Sequence, residues 1–302
     1  MKLSIGIIGL PNVGKSTFFQ FLTKIKVNIQ NYPFTTIHPN VGVVAPPDER
    51  LTKIAQIFHS QKILPCPLEF VDIAGLVKGA HDGQGLGNQF LAQIREVDAI
   101  VHIVRVFQNP EVVHLEGEIN PQRDFETVQN ELEYKDLESK EKTNLLSEKP
   151  QLILLNGKKE EAPAEFFDYL KSKNLPYLDI DLDSLKSDFP ESKEESKEVG
   201  LPKIEIINQI FESFFKLLNL VTFFTANENE ARSWLIKKET TIKKAAGLVH
   251  TDFEEKFIKA EVIRWDKLLE AGSWHQAKMK GWLRLEGKEY LVQDGDVILF
   301  KI

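Results

Sequence analysis

Cysteine is nearly absent from this chain. Cys66 is the only one, so no intrachain disulfide can form, and a reducing cytoplasm is the expected compartment. Long apolar runs are missing too. Stretches such as Leu152–Leu155, Val221–Phe224 and Val297–Phe300 fall far short of the ~20 residues a membrane span needs, so no membrane segment is expected. The start, Met1–Gly9, superficially resembles a secretion signal. It is too short, has no small-residue cleavage site and runs straight into a glycine loop, so it reads as a first strand. An excess of positive charge is also lacking. The formal net charge is −7, so the overall field does not draw the chain to nucleic acid, and any RNA contact needs a local basic patch.

What is present is a chain of 302 residues, a length that suits two domains. Strand-like and helix-like segments alternate through the first two-thirds, the pattern of βαβ units around a mostly parallel sheet. Strands are expected at Leu3–Ile8, Leu68–Val71, Ala99–Val106 and Gln151–Leu155, and a helix from Ser16 to Thr23. Interleaved Glu and Lys predict a long helix over roughly 124–146. Residues 183–203 have almost nothing to bury and read as a solvated linker. Apolar residues at helical spacing (Ile207, Ile210, Phe211, Phe214, Leu218) then predict a connecting helix. From Asn219 the chain turns strand-rich, which places a domain boundary there: 1–218 and 219–302.

Gly9-Leu10-Pro11-Asn12-Val13-Gly14-Lys15-Ser16 fits the phosphate loop G-x-x-x-x-G-K-[ST], and it follows an apolar strand and opens a helix, as the motif requires. Its glycines allow successive N–H groups to point at phosphates. Lys15 is placed to reach the β- and γ-phosphates and Ser16 to offer its hydroxyl to Mg²⁺. Asp72 ends an apolar strand in Asp72-Ile73-Ala74-Gly75 and suits a metal-facing carboxylate, held through water, with the Gly75 N–H sensing the γ-phosphate. Between the two motifs, Thr35 and Thr36 are both candidates for a loop threonine on Mg²⁺. Five glycines between Gly75 and Gly87 suit a second nucleotide-sensing segment.

Taken together, Gly9–Thr17, Asn31–Gly42 and Asp72–Gly87 resemble the Obg-related GTPases, and most of all their YchF branch. The C-terminal stretches Thr225-Ala226, Ala245–Gly247, His250–Glu254, Ala260–Ile263 and Val292–Val297 are similar to that branch's TGS domain, a ubiquitin-like β-grasp module. The resemblance implies an α/β P-loop fold, ATP hydrolysis in the cytoplasm and association with ribosomes. It makes Ser16 and Thr36 metal ligands, and Asn12, Val13, Gly14, Lys15, Ser16 and Thr17 the residues that wrap the phosphates. Lys237-Lys238 and Lys243-Lys244 are then candidates for an RNA-facing patch of the TGS domain.

The chain departs from the family pattern in three places. A single helix, roughly 124–146, stands where the family inserts a long helical hairpin. After the strand Gln151–Leu155, the base-recognition motif keeps Asn156 but places Lys159 at its acidic position, with Glu160 and Glu161 following. The loop that backs the base is not recognisable around 178–183. Lys159 offers guanine's two donors no acceptor, so ATP is expected to bind at least as well as GTP.

Leu76 follows Gly75 where Ras-like enzymes orient water with a Gln, so another group must hold the water. His81 is one candidate, and Asn12 as a ligand of K⁺ is a second. Three function classes compete: a nucleotide-hydrolysing switch, a nucleotide-binding scaffold without hydrolysis, and a P-loop kinase. The glycine-rich stretch after Gly75 favours the switch.

Overall fold

The computed structural model describes residues 3–23, 40–45, 48–73, 93–115, 117–138, 143–185 and 201–302. In chain order its elements begin β1 (Leu3–Ile8), α1 (Lys15–Thr23), β2 (Val41–Val44), α2 (Glu49–Phe58), β3 (Lys62–Leu64), β4 (Leu68–Asp72), β5 (Ala99–Arg105) and α3 (Pro121–Glu138). They continue β6 (Gln151–Asn156), α4 (Ala164–Ser172), β7 (Tyr177–Ile180), α5 (Leu201–Leu217), β8 (Leu220–Ala226), β9 (Glu230–Lys237) and α6 (Ile242–Val249). The chain closes with α7 (Thr251–Glu255), β10 (Lys259–Arg264), α8 (Trp265–Ala271), α9 (Trp274–Met279), β11 (Arg284–Glu286) and β12 (Asp296–Lys301). Among the described residues no helix is long and apolar enough to cross a membrane.

The elements divide between two compact units. One holds residues 2–44 and 68–213 around a sheet of order β2-β4-β1-β5-β6-β7. Only β2 runs antiparallel to its neighbour. Every residue of β5 and β6 is buried, as expected of parallel strands covered on both faces. A cluster of Val104, Val106, Phe125, Ile153, Leu155, Phe166 and Leu170 packs α3 and α4 onto the sheet. The expected strands are all present. Helix α3 is shorter than its charge pattern predicts. The Asp136 carboxylate accepts the N–H groups of Leu146 and Ser147, each at 2.9 Å, so residue 146 lies in a turn capped by the helix rather than within it.

The second unit comprises residues 45–67 and 214–302, so a single cut near 219 does not divide the chain. Its sheet has the order β11-β10-β12-β8-β9-β3. A β8–β9 hairpin, a following helix and a parallel β8–β12 pair at the centre give the strand order of a β-grasp. The unexpected members are α2 and β3. Asp48 caps α2 by accepting the Arg50 N–H at 2.9 Å, and His59 ends it in the left-handed conformation at φ 53°. Leu51, Ile54 and Ala55 form its apolar face and enter a core with Phe224, Ala231, Ile263, Leu268 and Val297. β3 then pairs in parallel with β9. The region after 219 also holds helices α6 to α9, beyond the strands its sequence predicts. Their apolar stretches are too short to show a period.

His102 lies on β5 in the first unit, 1% exposed and stacked on Phe125 at 5.0 Å. Its Nδ1 has no hydrogen-bond partner among the described residues. Burial drives its pKa down to about 3, with the positive charge of Lys15 adding to the effect, while a side-chain hydrogen bond to Gln151 opposes it. The folded state therefore holds His102 neutral while the unfolded chain protonates near pH 6.5. Stability from this group is intact above that pH and is lost as pH falls toward 3. Between pH 7 and pH 5 the loss amounts to about 2 kcal/mol. Urea melts of His102→Phe at the two pH values are expected to show a smaller drop than the parent by that amount. An equal drop removes His102 from the acid response.

Candidate nucleotide site

The phosphate loop sits at the C-terminal end of β1, the central position of its sheet, with α1 rising directly from it. The Phe18 N–H donates to the Gly14 carbonyl at 2.9 Å and starts the helix. The first turn of α1, bearing Ser16 and Thr17, thus opens toward the loop with its N–H groups unpaired along the chain. Asn12 adopts a left-handed backbone at φ 61°. Gly14 has φ 106°, and a Cβ there would stand 2.4 Å from the Asn156 side chain, so both the backbone and the space demand glycine.

Lys15 is folded into the loop it serves. Its Nζ donates to the carbonyls of Gly9 at 3.0 Å and Leu10 at 2.8 Å. Burial lowers its pKa to about 8, and the nearby negative charge of Asp72 opposes that shift. Asp72, at the end of the neighbouring strand β4, is raised by burial and lowered by Lys15. The two charges therefore feel each other across the mouth of the loop. The Asp72 backbone N–H is held by the Asn40 carbonyl at 2.8 Å.

Asn156, read from its motif as base-facing, makes two backbone contacts of its own. It is 5% exposed, donates Nδ2 to the Val13 carbonyl at 2.9 Å and accepts the Leu182 N–H on Oδ1 at 3.1 Å. It braces the phosphate loop against the turn after β7. That turn spans 181–185, where the sequence shows no recognisable base-backing motif. Asp181 organises it by accepting the N–H groups of Asp183 and Ser184. Beyond Asn156, a single 3-10 turn spans Lys159–Glu161. The Glu161 carboxylate accepts the Lys158 N–H at 2.7 Å, which commits it to capping this turn. Lys159 and Glu160 are exposed.

The structure thus brings together Asn12, Val13, Gly14, Lys15, Ser16, Thr17, Asp72 and Asn156. Thr36, Gly75 and His81 lie outside the described residues. A third wall had no signal in the sequence. Residues 107–115 leave the end of β5 and return beside the phosphate loop, where the Val113 carbonyl accepts Asn12 Nδ2 at 3.2 Å. His114 of this wall and Asp124 on α3 make a buried pair at 2.8 Å. They are ten residues apart, with neither spacing nor polarity to mark them as partners.

The arrangement is that of a P-loop nucleotide site. Residues 4–156 match a family described as "50S ribosome-binding GTPase". Residues 220–302 match the C-terminal family of YchF-type GTPases, described as a "Protein of unknown function". The "Ribosome-binding ATPase YchF" of Mycoplasma genitalium is 40% identical, with 99% of each chain covered. This chain belongs to the YchF family. The Bacillus subtilis YchF is 36% identical over 100% of this chain and 99% of its own. The solved Schizosaccharomyces pombe YchF GTPase superposes with a TM-score of 0.79 at 29% identity, covering 99% of this chain and 98% of that one. The Mycoplasma alignment spans 362 positions against 302 residues here, so that YchF relative carries residues with no counterpart in this chain.

Proposed function

We propose that this chain is a Mg²⁺-dependent nucleoside triphosphate hydrolase that works in the cytoplasm as a nucleotide-gated switch on the ribosome, with ATP bound at least as well as GTP. The observation that carries the reading is Lys15, held by two loop carbonyls and facing Asp72 in a formed phosphate loop. The relatives named ribosome-binding ATPases cover nearly all of the chain, which supports the ribosome as partner. In this reading the C-terminal unit is a TGS domain and carries RNA contacts through Lys237, Lys238, Lys243 and Lys244.

Ser16 at the first turn of α1 and Asp72 at the end of β4 are hard oxygen donors on adjacent elements, a set that fits Mg²⁺. Thr36 is the third proposed ligand. The metal would neutralise phosphate charge. The chain itself would clamp the phosphates through Lys15 and the N–H groups of the loop, and hold that loop in place through Asn156. Water positioning falls to His81 in place of the glutamine that Leu76 replaces, while K⁺ on Asn12 would stabilise charge between the phosphates. Without an activator, turnover of about 10⁻⁴ s⁻¹ is expected, as for unassisted switch GTPases.

Base choice follows from the turn after β6. A carboxylate accepting guanine's N1–H and amine contributes roughly 1.5–3 kcal/mol per bond. Lys159 supplies none, and Glu161 caps its own turn by accepting the Lys158 N–H. Calorimetry with Mg²⁺ is expected to give an ATP affinity equal to or above that for GTP. A GTP preference of ~100-fold, about 2.7 kcal/mol, defeats this account. Phosphate release with no added acceptor, faster in K⁺ than in Na⁺, separates a hydrolase from a scaffold or a kinase. Equal rates in the two salts exclude the cation role of Asn12.

A further inference from the structure

Arg105 is the largest side chain that the fold buries completely, at 1% exposed. It ends β5, and among the described residues no carboxylate takes its guanidinium in the usual fork. It donates Nε to the Phe107 carbonyl at 3.2 Å, Nη1 to Val112 at 2.9 Å and Nη2 to Asn109 at 3.0 Å. The same group stacks on the Phe107 ring at 4.3 Å. One planar cation thereby fixes three carbonyls spread over six residues of a loop that leaves the sheet. A second device closes the turn, with Asn109 Oδ1 accepting the Glu111 N–H at 2.9 Å.

This loop grips the phosphate loop at two successive residues. At its root, the N–H groups of Val106 and Phe107 both donate to the Asn156 carbonyl, at 3.0 and 3.2 Å. Asn156 in turn holds the Val13 carbonyl through its side chain. Near its tip, the Val113 carbonyl takes the Asn12 amide nitrogen. Because the nitrogen is engaged there, the amide has one orientation, and its oxygen points away from Val113. Burying a guanidinium among carbonyls carries a desolvation cost that a surface loop needs no help from. Its return is the fixed geometry of residues 107–113.

We propose that Arg105 is a positioning residue for the phosphate site: by pinning residues 107–113 it fixes the side chain of Asn12 for the hydrolytic step. This rests on the proposed hydrolase activity. Arg105 touches no substrate and acts through Val113.

The test uses the full chain and four variants: Arg105→Met, Asn109→Ala, Asn12→Ala and the Arg105→Met/Asn12→Ala double variant. Calorimetric nucleotide affinity and the single-turnover rate are measured separately, with thermal melts alongside. The parent is measured first. A parent that binds nucleotide without releasing phosphate refutes the hydrolase reading, independently of Arg105. With an active parent, Asn12→Ala is expected to lower the rate about tenfold with affinity changed less than about threefold. Arg105→Met is expected to match it, and the double variant to be no slower than the worse single, because residues acting through one contact are not additive. Asn109→Ala loosens the loop from a half-buried position and is expected to shift the rate in the same direction, so the idea remains testable should Arg105→Met fail to fold. Multiplicative losses in the double variant, an unaffected Asn12→Ala, or rates that track melting temperature alone would overturn the proposal.

Discussion

Lys15→Ala is expected to weaken binding of ATP and GTP by roughly 10²- to 10⁴-fold, because it removes two charge-assisted hydrogen bonds of about 1.5–3 kcal/mol each. In the free protein Lys15 gives its protons to Gly9 and Leu10. Its lowered pKa records that this lysine is poorly solvated there. A bound β,γ-phosphate pair offers the ammonium better acceptors than two neutral carbonyls, so the side chain is held in readiness. The fold itself is expected to lose little. The variant leaves two carbonyls short of a donor but also removes a partly buried charge, and the two effects oppose each other. Binding of a fluorescent nucleotide, with a thermal melt beside it, reads both quantities. Parent-like affinity in Lys15→Ala would show that the loop at 9–16 does not hold phosphate.

The phosphate loop was legible because its chemistry is local. Backbone N–H groups, one lysine and one hydroxyl must lie within eight residues, and the sequence writes them in order. The parallel sheet was legible for the same reason, since β5 and β6 are apolar on both faces and read as continuous runs. What stayed hidden depends on contacts across the chain. Asn156 stands in its base-recognition motif, but nothing in that motif says that its amide also meets the Val13 carbonyl and the Leu182 N–H. Arg105 reads as the polar end of a strand, although the three carbonyls it meets make it the anchor of a wall. The turn at 181–185 is built by Asp181 around its own backbone, which no family pattern encodes. Helix α2 was the largest surprise. Its apolar stripe of Leu51, Ile54 and Ala55 announces an amphipathic helix, but a stripe does not say which sheet it covers.

That placement leads to the second large effect. A fragment of residues 219–302 reads as a self-contained domain, and the structure argues that it is not. Residues 45–67 add the buried side chains of Leu51 and Ile54 to its core, at 1% and 0% exposure. They add β3 along the edge of β9, which would otherwise stand open. They also bring Arg50, which donates to Asp294 at 2.7 Å and lies over the Phe224 ring at 5.2 Å. Fully burying two such aliphatic side chains contributes roughly 1.5–3 kcal/mol each. A small domain has only about 5–15 kcal/mol in all, so the loss is a large fraction of it. Residues 219–302 alone are therefore expected to melt without cooperativity and to bind a hydrophobic dye, as a core lacking its packing does. Adding a peptide of residues 45–67 is expected to restore a cooperative transition. In the full chain, Ile54→Ala is expected to cost about 2–5 kcal/mol, read in the unfolding of the C-terminal unit. A 219–302 fragment with a sharp melt and no response to the peptide would return the boundary to residue 219. If the expectation holds, the consequence lies in the connectivity. The segment that completes the C-terminal core is spliced between β2, which follows Thr36, and β4, which ends on Asp72.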